Sequence, residues 1–200
     1  TTGEASAVVF GNSSGAVIAL DIAKRYPQSV RAAIIHEPAT PAVLPDANKW
    51  KKFFAKCYLL SLRWGAGWGA FKFMTGVKIN IFNIAKAQKR AKIYAQENRI
   101  WEDETRISVK DNLEILTKQE LLPVTNYIPD IEAIKYNNVK VFIGVSCWAK
   151  KRNTWIARVC KTLCERLDCP IIVFSGGHGG YMEEPQEWRD AFRDIILRRI

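Results

Sequence analysis

Four short, mostly apolar runs, each ending in a sharp turn, constrain this chain more than any other feature. Ala7-Val8-Val9-Phe10 stops at Gly11, and Val30 to Ile35 stops at His36-Glu37-Pro38. Val139 to Gly144 leads into Val145-Ser146-Cys147, and Ile171 to Phe174 leads into Ser175-Gly176-Gly177. Runs of this length, rich in β-branched residues, suit strands buried on both faces. Between them the apolar period changes to that of a helix. Ser14 to Arg25 is one such stretch, closed by Tyr26-Pro27. Trp155, Val159, Leu163 and Leu167, with Ile156 alongside, form a second face. Trp188, Ala191, Phe192, Ile195 and Ile196 form a third, in a helix opened by Pro185. Strands alternating with helices predict an α/β fold around a parallel sheet of about four strands.

Residues 48–120 interrupt that rhythm. Trp50, Phe53, Phe54, Cys57 and Tyr58 recur at helical spacing, as do Ile84, Ala87, Ala91, Tyr94 and Ala95, and then Val109, Leu113 and Leu116. Gly65-Ala66-Gly67-Trp68-Gly69 reads as a breaker between helices. Two pieces, 1–47 and 121–200, are therefore expected to form one α/β unit, with 48–120 inserted as a helical segment.

The first strand-to-helix turn carries Gly11-Asn12-Ser13-Ser14-Gly15, a G-x-S-x-G pattern. The bare pattern should arise by chance in roughly one chain in fifteen of this length at ordinary glycine and serine frequencies, so its context decides. A nucleophilic serine needs a tight, strained turn at the end of a strand, so that its hydroxyl projects clear of the sheet, and small neighbours so that the turn can close. Both conditions are met here. The bland alternative is a glycine-rich turn that binds an anion at the helix start.

This arrangement resembles the α/β-hydrolase family, and the resemblance extends over the whole chain. In that family a histidine follows the last strand and precedes the final helix; His178, in Ser175-Gly176-Gly177-His178-Gly179-Gly180, holds that place. The family commonly inserts a helical cap after its sixth strand, which residues 48–120 match. Its acid usually comes from the turn after the seventh strand, but Val145 to Arg152 contains none. Some members carry the acid at the end of the sixth strand, where this chain has Glu37; Asp130 and Glu132 are weaker candidates. The resemblance thus implies Ser13 as nucleophile, His178 as base, Glu37 as the acid that orients it, and the Ser14 N–H as one oxyanion donor. In the family, four strands precede the elbow and the loop after the third supplies the other donor. This chain reaches its serine at position 13, so about half a catalytic domain is expected to be missing and the first strand is expected to be an open edge.

The remaining composition narrows the partners. The chain has 200 residues, 48% of them hydrophobic and 25% charged, the mix of a globular protein with a sizeable core. Lys and Arg outnumber Asp and Glu by 30 to 20, a bias toward acidic partners. No nucleic-acid module is visible, and nucleic acid is not expected as a partner. The segment from Trp50 to Met74 interleaves aromatics with lysines. It reads first as a cap core with a solvated rim, and second as a face that contacts membranes or lipid-like esters. Lys86 to Lys92 and Lys150-Lys151-Arg152 read as solvated faces. Cys160, Cys164 and Cys169 are close in sequence but lack a nearby fourth ligand, so the five cysteines are expected to be free thiols rather than a zinc site. With no secretory signal opening the chain, a cytoplasmic location is expected.

The sequence therefore predicts a serine hydrolase acting on a carboxylic ester or related small acyl substrate, with neither metal nor organic cofactor. Serine at the elbow separates it from epoxide hydrolases and haloalkane dehalogenases, which place an aspartate there. The alternative is a non-catalytic relative that binds a ligand or partner. With its first strand open, the chain is expected to be poorly soluble, to self-associate through that strand, or to need a partner that restores the sheet.

Overall fold

A computed structural model describes residues 5–77 and 109–200, together with the isolated positions Lys89, Ile93 and Gln96. The helical set at Ile84 to Ala95 therefore lies, apart from Ile93 and Lys89 beside it, outside the described residues. Four strands, β1 (Ala7–Asn12), β2 (Val30–His36), β3 (Lys140–Ser146) and β4 (Ile171–Phe174), form one sheet in the order β1-β2-β3-β4. Every pairing is parallel. Helices connect the strands, as parallel pairing requires: α1 (Ser14–Arg25) joins β1 to β2, and α8 (Trp155–Leu167) joins β3 to β4. Helix α10 (Pro185–Arg198) follows β4.

Alternation along the central strands sends side chains to two separate cores. Ala33, Ile35, Val141, Ile143 and Val145 face α1 and α8, where Leu20, Val159 and Leu163 are fully enclosed. Ala32, Ile34 and Phe142 face the other way and meet Phe174, with Trp188 and Ile195 of α10. Among the described residues no strand pairs with the outer side of β1. Its exposure agrees with that position: Ala7 and Phe10 are exposed, Phe10 at 40%.

Between β2 and β3 the described residues are helical. Helices α2 (Ala47–Trp64) and α3 (Ala66–Gly76) form a hairpin, followed by α4 (Val109–Ile115), a π-helical stretch at Leu116–Glu120, α5 (Leu121–Asn126) and α6 (Ile131–Tyr136). The break expected at 65–69 is present but confined to one residue. Gly65 alone stops α2, with φ of 95°, and 66–69 already belong to α3. Gly69 serves packing: a Cβ there would lie 2.6 Å from the Cys57 carbonyl oxygen and collide with the Ser61 hydroxyl, so its absence lets α3 lie against α2. The hairpin is tied to the sheet domain by aromatic contact of Trp50 and Phe54 with Trp155, at centroid distances of 5.1 and 5.9 Å. Arg158 also reaches Asp46 with two hydrogen bonds, at 2.9 and 3.0 Å.

Two short helices complete the fold beside the strand ends. After β3 the chain turns directly into α7 (Cys147–Lys151), and α9 (Gly180–Glu183) precedes α10. The open turn expected at 145–152 is thus strand as far as Ser146 and helix from Cys147.

Candidate active site

All four candidate residues sit at the carboxyl ends of the strands, where open α/β sheets place their ligands. Ser13 occupies the single position between β1 and α1, with φ of 58° and ψ of −117°. A side chain in this left-handed region is strained, and the surroundings hold it there. The Ser13 N–H donates to the His36 carbonyl at 3.0 Å, and the Ser13 carbonyl accepts from Ala16 and Ala39. Close passage of α1 over β1 depends on Gly11, whose missing Cβ would lie 2.5 Å from the Gly15 carbonyl carbon and 2.7 Å from Ala16 Cα. Ser14 is the first residue of α1, so its N–H has no acceptor within the helix.

Glu37 follows the last residue of β2 and is also left-handed, with φ of 45°. Its N–H donates to the Gly144 carbonyl at 3.0 Å, which pins it beside β3. The carboxylate is buried, yet both oxygens are hydrogen-bonded. Oε1 accepts from the Ser146 N–H at 2.9 Å and from its hydroxyl at 2.6 Å. Oε2 lies 2.5 Å from His178 Nδ1. Burial pushes this carboxyl up, but the hydrogen bond and charge of His178, with further help from His36 and Ser146, outweigh it and hold the group down to about 2. An ionised carboxylate can only accept, so Nδ1 is the donor and His178 Nε2 is left free to accept a proton.

His178 is carried by a loop fixed at several points. The Gly177 N–H donates to Glu183 at 3.1 Å, the Trp188 indole donates to the Ser175 carbonyl at 3.0 Å, and the Ser175 hydroxyl donates to Glu184. Gly176, at φ of 76°, supplies a turn that a side chain would strain, and its carbonyl accepts from the Trp148 N–H at 3.3 Å. The loop is thereby held against α7 on one side and α9–α10 on the other.

Ser13, Ser14, Glu37 and His178 line one cavity of about 690 Å³. Its apolar lining includes Phe54, Phe73 and Val77 of the helical insertion, with Leu121 and Val124 of α5. Lys151 and Arg152, expected on a solvated face, also reach its lining. The space is ample for a small acyl compound with a hydrocarbon part. The weaker acid candidates lie elsewhere: Asp130 caps α6 by accepting from the Ala133 N–H at 3.1 Å, and neither it nor Glu132 lines the cavity. Among the described residues no group of three or more His, Cys, Asp or Glu is gathered in a metal-binding cluster.

Two contributors were not anticipated from sequence. Ser146 supplies both donors to Glu37 Oε1, and its Oγ also caps α7 by accepting from the Ala149 N–H at 3.2 Å. His36 is fully buried, with Nδ1 2.7 Å from Asn12 Oδ1. It thereby links the residue before Ser13 to the residue before Glu37. Both contacts span long stretches of sequence, so no local spacing could have announced them.

Comparison with known proteins bears on the fold. No protein-family model matches the chain. Over 197 residues it is 27% identical to an uncharacterized hydrolase, YraK, of Bacillus subtilis; the match covers 95% of this chain and 63% of that protein. Among solved structures, an α/β-hydrolase enzyme (MGS-M2) from a Medee basin deep-sea metagenome superposes with a TM-score of 0.62 at 17% identity, covering 98% of this chain and 65% of that one. The chain has a partial α/β-hydrolase fold. MenH from S. aureus shares it, with a TM-score of 0.60 at 14% identity over 96% of this chain and 68% of its own. The chain spans just under two thirds of the curated relative it matches.

Proposed function

We propose that this chain carries the nucleophile, base and acid of a serine hydrolase acting on carboxylic esters or related acyl compounds. The observation that carries the reading is the 2.5 Å contact between His178 Nδ1 and a buried, ionised Glu37, on the same cavity as a serine in a strained strand-to-helix turn. In this reading His178 Nε2 takes the Ser13 hydroxyl proton as Oγ attacks the acyl carbon. The Ser14 N–H helps hold the oxyanion. The histidine then returns its proton to the leaving alcohol, which departs with the former ester oxygen. A water attacks the acyl-serine in turn, giving up its proton to His178, and the free acid leaves as the Ser13 hydroxyl is restored. Glu37 keeps the imidazole in the required tautomer and stabilises the imidazolium formed in each half. The apolar part of the cavity lining suits a hydrocarbon acyl or alcohol group.

The test is labelling with a fluorophosphonate, which phosphonylates an activated serine and requires no knowledge of the substrate. The folded chain should be labelled at Ser13, and Ser13→Ala and His178→Ala should each lose the label. A folded chain that is not labelled, or is labelled equally well in Ser13→Ala, would overturn the reading and favour ligand binding without turnover.

A further inference from the structure

The aromatic and basic segment divides between two faces once it is folded, and only one of them is core. Along α2 the buried stripe is Trp50, Phe54, Cys57 and Ser61. The opposite side carries Lys52, Lys56, Leu59 and Arg63, all exposed. Around the tip of the α2–α3 hairpin, Leu59, Leu62, Trp64, Trp68 and Phe71 are each 54–62% exposed. Five large apolar side chains open to solvent within thirteen positions is a concentrated patch, unlike the scattered exposure normal on a soluble surface. Within the hairpin itself the charge has a single sign, although α4, packed against α3, carries Asp111 and Glu114. Residues 47–77 contain Lys49, Lys51, Lys52, Lys56, Arg63 and Lys72 and not one Asp or Glu. The Arg63 guanidinium lies 5.1 Å from the centre of the Trp64 ring, so cation and aromatic share one site at the tip.

We propose that the outer face of the α2–α3 hairpin docks on an anionic lipid bilayer. Tryptophan and phenylalanine seat their rings at the boundary between headgroup and acyl chain, while a basic polar face is drawn to anionic headgroups. An apolar patch intended for a protein partner would gain nothing from six cations without a single carboxylate unless that partner were itself strongly acidic. A bilayer containing phosphatidylserine satisfies both halves of the pattern. No helix among the described residues is long and apolar enough to cross a membrane, so the contact is interfacial. The inner side of the same hairpin supplies Phe54, Phe73 and Val77 to the cavity, so docking would set the cavity beside the lipid surface. The inference stands apart from the hydrolytic reading, because it concerns binding and not turnover.

The full chain should sediment with vesicles of phosphatidylcholine containing 30% phosphatidylserine, and bind vesicles of phosphatidylcholine alone at least tenfold more weakly. Each cation removed should weaken binding about fivefold. The triple variant Lys52→Ser, Lys56→Ser, Arg63→Ser should therefore lose about a hundredfold, and high salt should release the native chain. Brominated lipids should quench tryptophan fluorescence in the native chain, and less so in Trp64→Ser/Trp68→Ser. All five substitutions are at exposed positions, and circular dichroism checks that each variant is folded. The quenching arm uses the native sequence and survives any variant that fails to fold. Absence of binding to the phosphatidylserine vesicles, binding without quenching, or binding unchanged in both variants would overturn the proposal. So would a dimer in the absence of lipid that Trp64→Ser/Trp68→Ser dissolves, since a second copy of the chain would then be what covers the patch.

Discussion

Acidification should weaken this fold in a step governed by His36. The imidazole is fully buried and packs edge-on against the stacked rings of Phe174 and Trp188, at centroid distances of 5.3 and 4.7 Å. Nδ1 pairs with Asn12, and Nε2 has no hydrogen-bond partner among the described residues. Burial pushes this group down from 6.5 to about 4; the Glu37 carboxylate pulls it upward and His178 pushes it further down. The folded state therefore resists a proton that the unfolded chain accepts near pH 6.5. Between about pH 6.5 and pH 4 the unfolded state binds more protons, so stability falls as pH falls through that window. A depression of this size is worth about 2 kcal/mol between pH 7 and pH 5, and about 3 kcal/mol by pH 4. The chain has two histidines, so His178 must be separated from His36. His36→Gln does this, because its amide can still bond Asn12 but does not titrate. Urea unfolding at intervals from pH 7 to pH 4 should show the native free energy dropping on that schedule. The difference between native and His36→Gln chains should change by about 2 kcal/mol from pH 7 to pH 5. A difference that stays constant with pH would refute the reasoning, because it would mean that His36 titrates in the folded state as it does in the unfolded chain.

Other outcomes follow from particular contacts. Glu37→Gln keeps the shape but offers His178 no anion, so fluorophosphonate labelling of Ser13 should slow by up to about 10⁴-fold; an unchanged labelling rate would remove Glu37 from the site chemistry. Gly11→Ala forces α1 off β1, because its Cβ would sit 2.5 Å from the Gly15 carbonyl carbon. It should cost at least about 1–3 kcal/mol, read as a lower urea midpoint, and a midpoint within experimental error of the native one would contradict the close approach. The outer edge of β1 carries no charged residue from Ala7 to Asn12, and Phe10 beside it is 40% exposed. The 200 residues expressed alone should therefore self-associate, and a monodisperse monomer in sedimentation velocity at micromolar concentration would show that this edge is protected.

Much of the fold was legible because strand and helix periods change sharply at residues with a local reason to change them. Tyr26-Pro27 ends α1, Pro185 opens α10, Gly11 near the end of β1 lets α1 pass close, and Gly176 sits at a turn that a side chain would strain. The stretch 65–69 was only partly legible because glycine has two uses, and one sequence cannot tell them apart. Gly65 breaks a helix through its φ, whereas Gly69 lies within a helix and removes a clash with its neighbour. That Ser13, Glu37 and His178 line one cavity was not legible from spacing and was expected only from family resemblance, since 24 residues separate the first pair and 141 the second. The turn at 145–152, which lacks the acid a relative would place there, is informative in a different way. Strands β2 and β3 are neighbours, with His36 opposite Gly144 and the Glu37 N–H bonded to the Gly144 carbonyl. A carboxylate at the end of β2 therefore reaches nearly the same point as one at the end of β3. What the β3 turn contributes here is the reverse of a carboxylate: Ser146 offers an N–H and a hydroxyl, both aimed at Glu37. Because the register holds the two strand ends side by side, a carboxylate carried by β2 takes its donors from β3 and still meets the histidine.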